Sequence, residues 1–379
     1  MAQEMKNAGQ QALKASVLDT QLCTGCGACV GICPYAVSHN DRIILLHPCD
    51  LAEGRCYAYC PRTPTDLEEL RKQFFPEEEL TPELGSLKGF YITRATDRET
   101  RKGAQHGGTV STLVSLALEE GLIDTAVMTE QGNDFLPYGV AVHDPADVKK
   151  RGKSKFIAAP TVSEFNRIAK GNAARIGVVA TPCQALALAK MRLKPIVSDD
   201  SHIDKLKLVV GLFCGWALSW RETVGLLRDK LDLDRITGMD IPPSQYHVLH
   251  VYTNEETIEI PLDEVNPLVR EACLYCADMT AEFSDISVGS ARLDKGWEEA
   301  KTWNQVIVRT RLGEELIELA RAKSVLEFRE IPEGNLERLK MASMNKKRTA
   351  VKNLSGKSGS PHDLIYLDSG DPVLRHLVD

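Results

Sequence analysis

Seven of the chain's eleven cysteines fall between Cys23 and Cys60. Cys23, Cys26, Cys29 and Cys33 come first, the last followed by Pro34; Cys49, Cys56 and Cys60 follow, and Cys60 precedes Pro61. Closely spaced thiolates ending in Cys-Pro form the pattern that wraps a cubane iron-sulfur cluster. Gly25, Gly27 and Gly31 let the backbone close tightly around it. In two-cluster versions the last cysteine of each run ligates the other cluster. The spacing therefore assigns Cys23, Cys26, Cys29 and Cys60 to one 4Fe-4S cluster. Cys33, Cys49 and Cys56 remain for a second that is one ligand short. Either His47, Asp50 or Glu53 completes it, or it is a 3Fe-4S cluster.

Zinc and disulfides are the competing uses of these thiols, but zinc motifs rarely carry Cys-Pro twice. Eleven cysteines without a secretory signal read as ligands in a reducing, hence cytoplasmic, compartment. Residues 20–66 then form a ferredoxin-like module, preceded by a polar extension (1–19) expected to fray or form a loose helix. Leu67, Leu70 and Phe74 recur at helical spacing, which predicts a short helix opening a charged linker (67–87). The net charge of −7 argues against a nucleic-acid partner, which needs a basic face. The longest apolar run, Leu208 to Leu218, is too short to span a bilayer.

Beyond residue 88, β-type runs at 89–94, 125–129, 138–143, 172–180, 206–213 and 304–310 alternate with helical patterns at 112–121, 185–192, 220–231 and 314–322. Two short strands are expected at 249–252 and 257–260. This alternation predicts an α/β domain over residues 88–345, within a chain that is α+β overall. Residues 346–379 read as a tail, ordered only against a partner.

The other four cysteines are Cys183 and Cys214, each just after a predicted strand, and the pair Cys273 and Cys276. Ligands gather at the carboxyl ends of strands in α/β folds, so strand ends plus a tight loop can bring four thiolates together. Plain burial and a thioredoxin-like pair are the alternatives. Gly107, Gly108 and Thr109 open a helix, where unpaired N–H groups favour a phosphate. A simple turn is the plainer use, since the full dinucleotide fingerprint is lacking.

Taken in order, Gln105-His-Gly-Gly-Thr-Val-Ser-Thr-Leu, Ala180-Thr-Pro-Cys-Gln-Ala-Leu, Gly211-Leu-Phe-Cys214, Cys273-Leu-Tyr-Cys276-Ala-Asp and Asp285-Ile-Ser-Val-Gly289 resemble the beta-subunit family of coenzyme F420-reducing hydrogenases and dehydrogenases, over about residues 88 to 340. The resemblance implies an FAD-binding α/β domain with a 4Fe-4S cluster on Cys183, Cys214, Cys273 and Cys276. With the N-terminal module this makes two to three clusters per chain. It implies FAD phosphate contacts at Gly107, Gly108, Thr109 and Ser111, with Ser154 and Lys155 as further candidates. It also implies coenzyme F420 or ferredoxin as electron carrier, and a catalytic hydrogenase- or dehydrogenase-type subunit as partner.

Three functions fit these expectations. One is hydride exchange between coenzyme F420 and FAD, with single electrons passing through the clusters. Another is a ferredoxin-linked FAD oxidoreductase acting on a different substrate or partner. The third is a flavin-free electron-wiring or redox-sensing subunit. His106 reads as an exposed loop histidine, Trp216, Trp220, Trp297 and Trp303 as packing residues, and Lys346, Lys347 and Arg348 as solvated surface.

Overall fold

The computed structural model describes residues 8–75, 80–193, 201–293 and 296–378. An eight-stranded mixed sheet runs through the centre. In chain order its strands are β1 (Gly89–Ala95), β2 (Thr125–Gln131), β3 (Pro137–Val142), β4 (Ile176–Ala180), β5 (Leu206–Leu212), β6 (Ile286–Ser290), β7 (Asn304–Val308) and β8 (Leu326–Arg329). In space they lie β8-β1-β7-β6-β5-β4-β2-β3. The four strands β6, β5, β4 and β2 pair in parallel, and antiparallel strands close both sides. The parallel strands are the β-branched runs, as strands covered on both faces require; β4 is buried along its whole length.

The main helices are α1 (Leu67–Phe74), α2 (Thr109–Glu119), α3 (Thr161–Ala169), α4 (Pro182–Leu193), α5 (Trp220–Arg228), α6 (Arg311–Ala322) and α7 (Asn335–Ser358). Strand side chains divide between two cores because they alternate across the sheet. Ala126, Met128 and Val179 pack with Leu113 and Leu116 of α2 and Leu316 and Ile317 of α6. Val127, Val178 and Ala180 pack with Val162 and Phe165 of α3 and Leu188 of α4. The register slips between Ile176 and Gly177. Leu206 and Val209 therefore join one core while Leu208 and Val210 join the other. A small antiparallel sheet (Gly238–Asp240, Val248–Tyr252, Thr257–Pro261) packs against Val224 and Leu227 of α5 as a third core.

One segment takes one of its two expected forms, and two others differ from the sequence expectations. Residues 10–18 are helical, and Leu13 and Val17 bury against Leu22, Cys56 and Tyr57 instead of fraying; residues 1–7 lie outside the described residues. The segment expected as a linker belongs to the core. Helix α1, capped by Asp66 accepting the Glu69 N–H at 2.8 Å, buries Leu67 and Leu70, and Leu84 packs on Ile307 and Leu339. Residues 76–79 again lie outside the described part. The expected tail is ordered too: α7 runs across residue 346, and beyond it Leu364, Tyr366, Leu367 and Leu374 are buried in the main core.

The polar composition that suggested disorder is matched by distant partners. Lys347 pairs with Glu282, Arg71 pairs with Asp371 at 2.6 Å and approaches Glu282 at 3.8 Å, and all four side chains are buried. Burial opposes the Glu282 charge, but Lys347 and Arg71 outweigh it and hold the carboxyl below its ordinary range. Glu282→Gln leaves two buried cations under-compensated and is expected to cost about 3–5 kcal/mol at neutral pH, read from denaturant midpoints. The carboxylate's contribution is complete above the unfolded value of about 4.3. It is lost as pH falls through the lowered folded value, so the gap between wild type and variant narrows only in acid.

Candidate functional site

Backbone packing moulds the first cysteine loop onto the sheet domain. Gly25, Gly27 and Gly31 have φ of +71°, +84° and +85°. A Cβ on Gly27 would stand 2.7 Å from the Pro160 carbonyl oxygen and 2.9 Å from the Ser163 nitrogen. The start of α3 grips the same loop. The Val162 N–H donates to the Cys26 carbonyl at 3.1 Å, and Asn166 Nδ2 donates to the carbonyls of Ala28 (3.0 Å) and Val30 (2.7 Å). From the other side Arg270 donates to the carbonyls of Cys23 (3.0 Å) and Asp41 (2.9 Å).

All eleven cysteines are unpaired thiols, and thiols of the three sets expected from the sequence act on one another both within and between sets. Burial raises the Cys29 thiol well above its ordinary range, and Cys23, Cys26, Cys60 and Cys56 add to it. Cys60 is pushed up to about 11 by burial and Cys23, against the Arg62 N–H and the charges of Lys190 and Arg62. Cys56 is pushed up to about 12 by burial, then by Cys33 and Cys49. Burial also raises Cys183, Cys214 and Cys273, and Cys276 adds to each.

The sets adjoin. Among charges, Cys183 acts most strongly on Cys26, and Cys60 acts on Cys56. Among the described residues no three His, Cys, Asp or Glu side chains frame a single-ion site. The donor set is instead buried soft sulfur, which suits polynuclear iron-sulfur cages; a coordinating cation removes the thiol proton outright and meets the charge that burial penalises.

The main-domain set assembles where strand-end logic places it. Cys183 sits on the first turn of α4, just past β4, and Cys214 follows β5. Cys273 lies in the short helix Glu271–Leu274, and Cys276 comes two residues after it. The Ala217 N–H donates to Cys273 Sγ at 3.3 Å, and Thr181 Oγ1 is 3.4 Å from Cys183 Sγ. His47, Asp50 and Glu53 are exposed, and the charges acting most on Cys56 are thiols, with none of these three among them.

The glycine loop lies at the same end of the sheet. Gly108 is left-handed at φ +80°, capping α2, and a Cβ on Gly107 would meet Asn304 Oδ1 at 2.8 Å. Thr109 is fully buried: its hydroxyl pairs with Thr93 Oγ1 at 2.8 Å and its N–H donates to Asn304 Oδ1 at 3.2 Å. Ser111 is buried as well. The polar atoms of Thr109 thus hold the loop against β1 and β7. Asn304 Nδ2 also donates to the Gly289 carbonyl (3.2 Å), and Gly289 presses on the ring of Phe213, next to Cys214.

Gln105, missed in the sequence although it begins the motif, joins three loops. It accepts from the Ser154 N–H (3.0 Å) and donates to the Met239 carbonyl (2.9 Å) and Asp240 Oδ1 (2.8 Å). Burial lowers the Lys155 ammonium, and Lys153 lowers it further. His106 is not exposed. Its ring meets Trp297 edge-on at 5.5 Å, and Nε2 lies 3.4 Å from Asp240 Oδ2 without hydrogen-bond geometry. Lys346 and Lys347 turn inward, to the Gly215 carbonyl and to Glu282.

Comparison with known proteins decides the family. The models "Coenzyme F420 hydrogenase/dehydrogenase, beta subunit" match residues 90–165 (N-terminal part) and 173–334 (C-terminal part). The coenzyme F420 hydrogenase subunit beta of Methanothermobacter thermautotrophicus is 30% identical over 283 residues, covering 72% of this chain and 96% of that protein. The chain belongs to the coenzyme F420 hydrogenase/dehydrogenase beta-subunit family. It is an oxidoreductase of that family, and a 4Fe-4S binding domain model matches residues 16–37. An F(420)H(2) dehydrogenase subunit of Methanosarcina mazei is 28% identical, over 89% of this chain and 92% of its own length. A chain of the F420-reducing [NiFe] hydrogenase complex from Methanosarcina barkeri superposes with a TM-score of 0.67 at 26% identity, covering 73% of this chain and 94% of that one.

The loop packing makes a stability prediction for this family member. Gly27→Ala forces a side chain into Pro160 and is expected to cost about 1–3 kcal/mol in denaturant unfolding, with iron content falling alongside. Gly225→Ala, inside α5 with nothing within 4 Å of the new Cβ, should instead stabilise by up to about 1 kcal/mol.

Proposed function

We propose that this chain is the iron-sulfur flavoprotein subunit of a coenzyme F420-linked oxidoreductase. It exchanges a hydride between coenzyme F420 and FAD, and passes single electrons through 4Fe-4S clusters to or from a hydrogenase- or dehydrogenase-type partner. The observation that carries this is the adjacency of three sets of buried or half-buried thiols, one of which lies at the strand edge near the glycine loop. Cys23, Cys26, Cys29 and Cys60 would hold one cluster, and Cys183, Cys214, Cys273 and Cys276 another. Cys33, Cys49 and Cys56 would hold a third.

Gly107 and Gly108 would let the backbone approach the FAD phosphates, with Ser154 tied to the same loop through Gln105 and the half-buried Lys155 next to it in the chain. A bound flavin would supply the conversion between a two-electron hydride and one-electron carriers. The domain's own task is to hold the donor over the ring and exclude water. Around Cys49 in the chain, Ile44, Leu46 and Leu51 are exposed apolar side chains, a surface that a partner subunit would cover.

Anaerobically purified protein should carry about one FAD per chain and iron for two to three clusters, and reduced coenzyme F420 should bleach the flavin without ferredoxin. Flavin that stays oxidised on that addition removes coenzyme F420 from the proposal, and protein without flavin removes FAD. Lys155→Met should weaken FAD binding about tenfold or more, the loss of one charged hydrogen bond, measured by titrating the apo-flavin protein.

A further inference from the structure

Two buried cations are exchanged across the joint between the iron-sulfur module and the sheet domain. Arg62 follows Cys60 by two residues, yet its guanidinium reaches into the opposite side. It donates from Nη2 to the Ala272 carbonyl at 3.0 Å, and from Nη1 to the Tyr275 carbonyl at 3.4 Å and the Tyr366 hydroxyl. Those carbonyls bracket the loop from Cys273 to Cys276, and the Tyr366 hydroxyl itself donates to the Tyr275 carbonyl at 2.6 Å. Lys190 makes the converse crossing. It stands on α4, the helix that carries Cys183, and reaches the carbonyls of Cys60 (2.8 Å), Thr63 (3.2 Å) and Pro64 (3.3 Å) and the hydroxyls of Thr63 (2.8 Å) and Thr65 (2.9 Å). Arg62 is 4% exposed and Lys190 7%, so water screens neither charge well.

The two cations divide the sulfur unequally, Arg62 acting on Cys60 and Cys23 as well as on the main-domain thiols. The thiols acting on Arg62 are Cys276, Cys183 and Cys273, whereas Cys60 faces Lys190 first and Arg62 second. The hydrogen bonds of Arg62 run to carbonyl and hydroxyl oxygens, which carry no full charge, so its field is left to act on the sulfur around it. Placing an electron beside a buried cation is favourable, and cluster potentials follow local charge and burial. We propose that Arg62 and Lys190 are positioning residues that set the relative potentials of two neighbouring clusters, each cation being supplied by the opposite module. Lys190 raises the potential of the cluster at Cys23, Cys26, Cys29 and Cys60. Arg62 acts chiefly on the one at Cys183, Cys214, Cys273 and Cys276. The inference rests on the iron-sulfur assignments of the preceding section.

The test is an anaerobic redox titration of the full chain, followed by electron paramagnetic resonance, after an iron count. Cys214→Ser assigns the main-domain signal by its loss. Lys190→Met should make the first cluster at least tenfold harder to reduce, about 59 mV for one electron, and leave the main-domain cluster unmoved. Arg62→Gln should shift the main-domain cluster by at least as much. Arg62→Lys and Lys190→Arg, which keep the charge, should recover more than half of each shift. Iron-replete neutral variants with unmoved potentials overturn the proposal, as do charge-keeping variants that shift as far as the neutral ones. If one neutral variant loses iron, the other decides, because each predicts a shift in a different cluster. Loss of iron from both would make the cations structural and overturns the proposal too. Wild-type protein without iron at the main-domain set fails the functional assignment itself, a separate outcome from iron-replete protein whose potentials ignore the cations.

Discussion

Sulfur cannot be buried as thiolate unless positive charge meets it, and that constraint shapes much of this molecule. Burial, with neighbouring thiols adding to it, lifts Cys60 and Cys56 to about 11 and 12 against the pull of nearby N–H groups. Proteins satisfy such groups with a metal's charge, with cations in the wall, or with both. Here the wall supplies Arg62, Lys190, Arg270 and Lys346, acting on Cys60, Cys23, Cys183, Cys214 or Cys273. The walls must then be rigid and dry, which explains why the N-terminal module is not an appendage. Its loop is pressed into α3 so closely that Gly27 has no room for a methyl group, and its far side is covered by Leu13 and Val17.

The same demand accounts for the buried arginine behind the main-domain set. Arg309 is fully buried and donates to the carbonyls of Leu84, Ser86 (3.0 Å) and Thr280 (3.0 Å), the Thr280 hydroxyl (2.9 Å) and the Ser287 hydroxyl (3.2 Å). A planar fork with five N–H donors is suited to gathering separate backbone segments. It ties together the segment before β1, the loop after Cys276 and the strand β6. Burial drops its pKa to about 10, against the support of Asp278 and Glu282, so the guanidinium is held in place by bonds to neutral oxygens more than by an ion pair.

The sequence is legible where local chemistry repeats. The β-branched runs anticipate β4 and β5, with Cys183 and Cys214 just past their ends. Illegible are the elements whose order comes from partners far along the chain. α7 carries Lys347 and Ser343 where a core helix would carry apolar groups, and it is completed by Glu282 and by the Glu83 carbonyl at 2.7 Å. Asp371 looks like tail composition until Arg71, 300 residues away in sequence, meets it at 2.6 Å. His106 reads as a loop histidine because nothing nearby in sequence announces Trp297 and Asp240. Composition and periodicity report local preference, whereas long-range pairing of polar groups leaves no periodic trace.

The placement of the sets then has a consequence for how the chain works as a unit. The thiols at Cys33, Cys49 and Cys56 adjoin the first set through Cys60, and the first adjoins the main-domain set through Cys26 and Cys183. From Cys214 the fold continues through Phe213, Gly289 and Asn304 to the N–H of Thr109 in the glycine loop. These links are backbone and short side-chain contacts at one end of the sheet, where close packing resists displacement. A row of redox groups needs fixed spacing more than it needs any one acid or base. On the proposed reading a mixed sheet with Cys183 and Cys214 just past parallel strand ends would provide that spacing, and Arg62 and Lys190 tie the N-terminal segment to it from both sides.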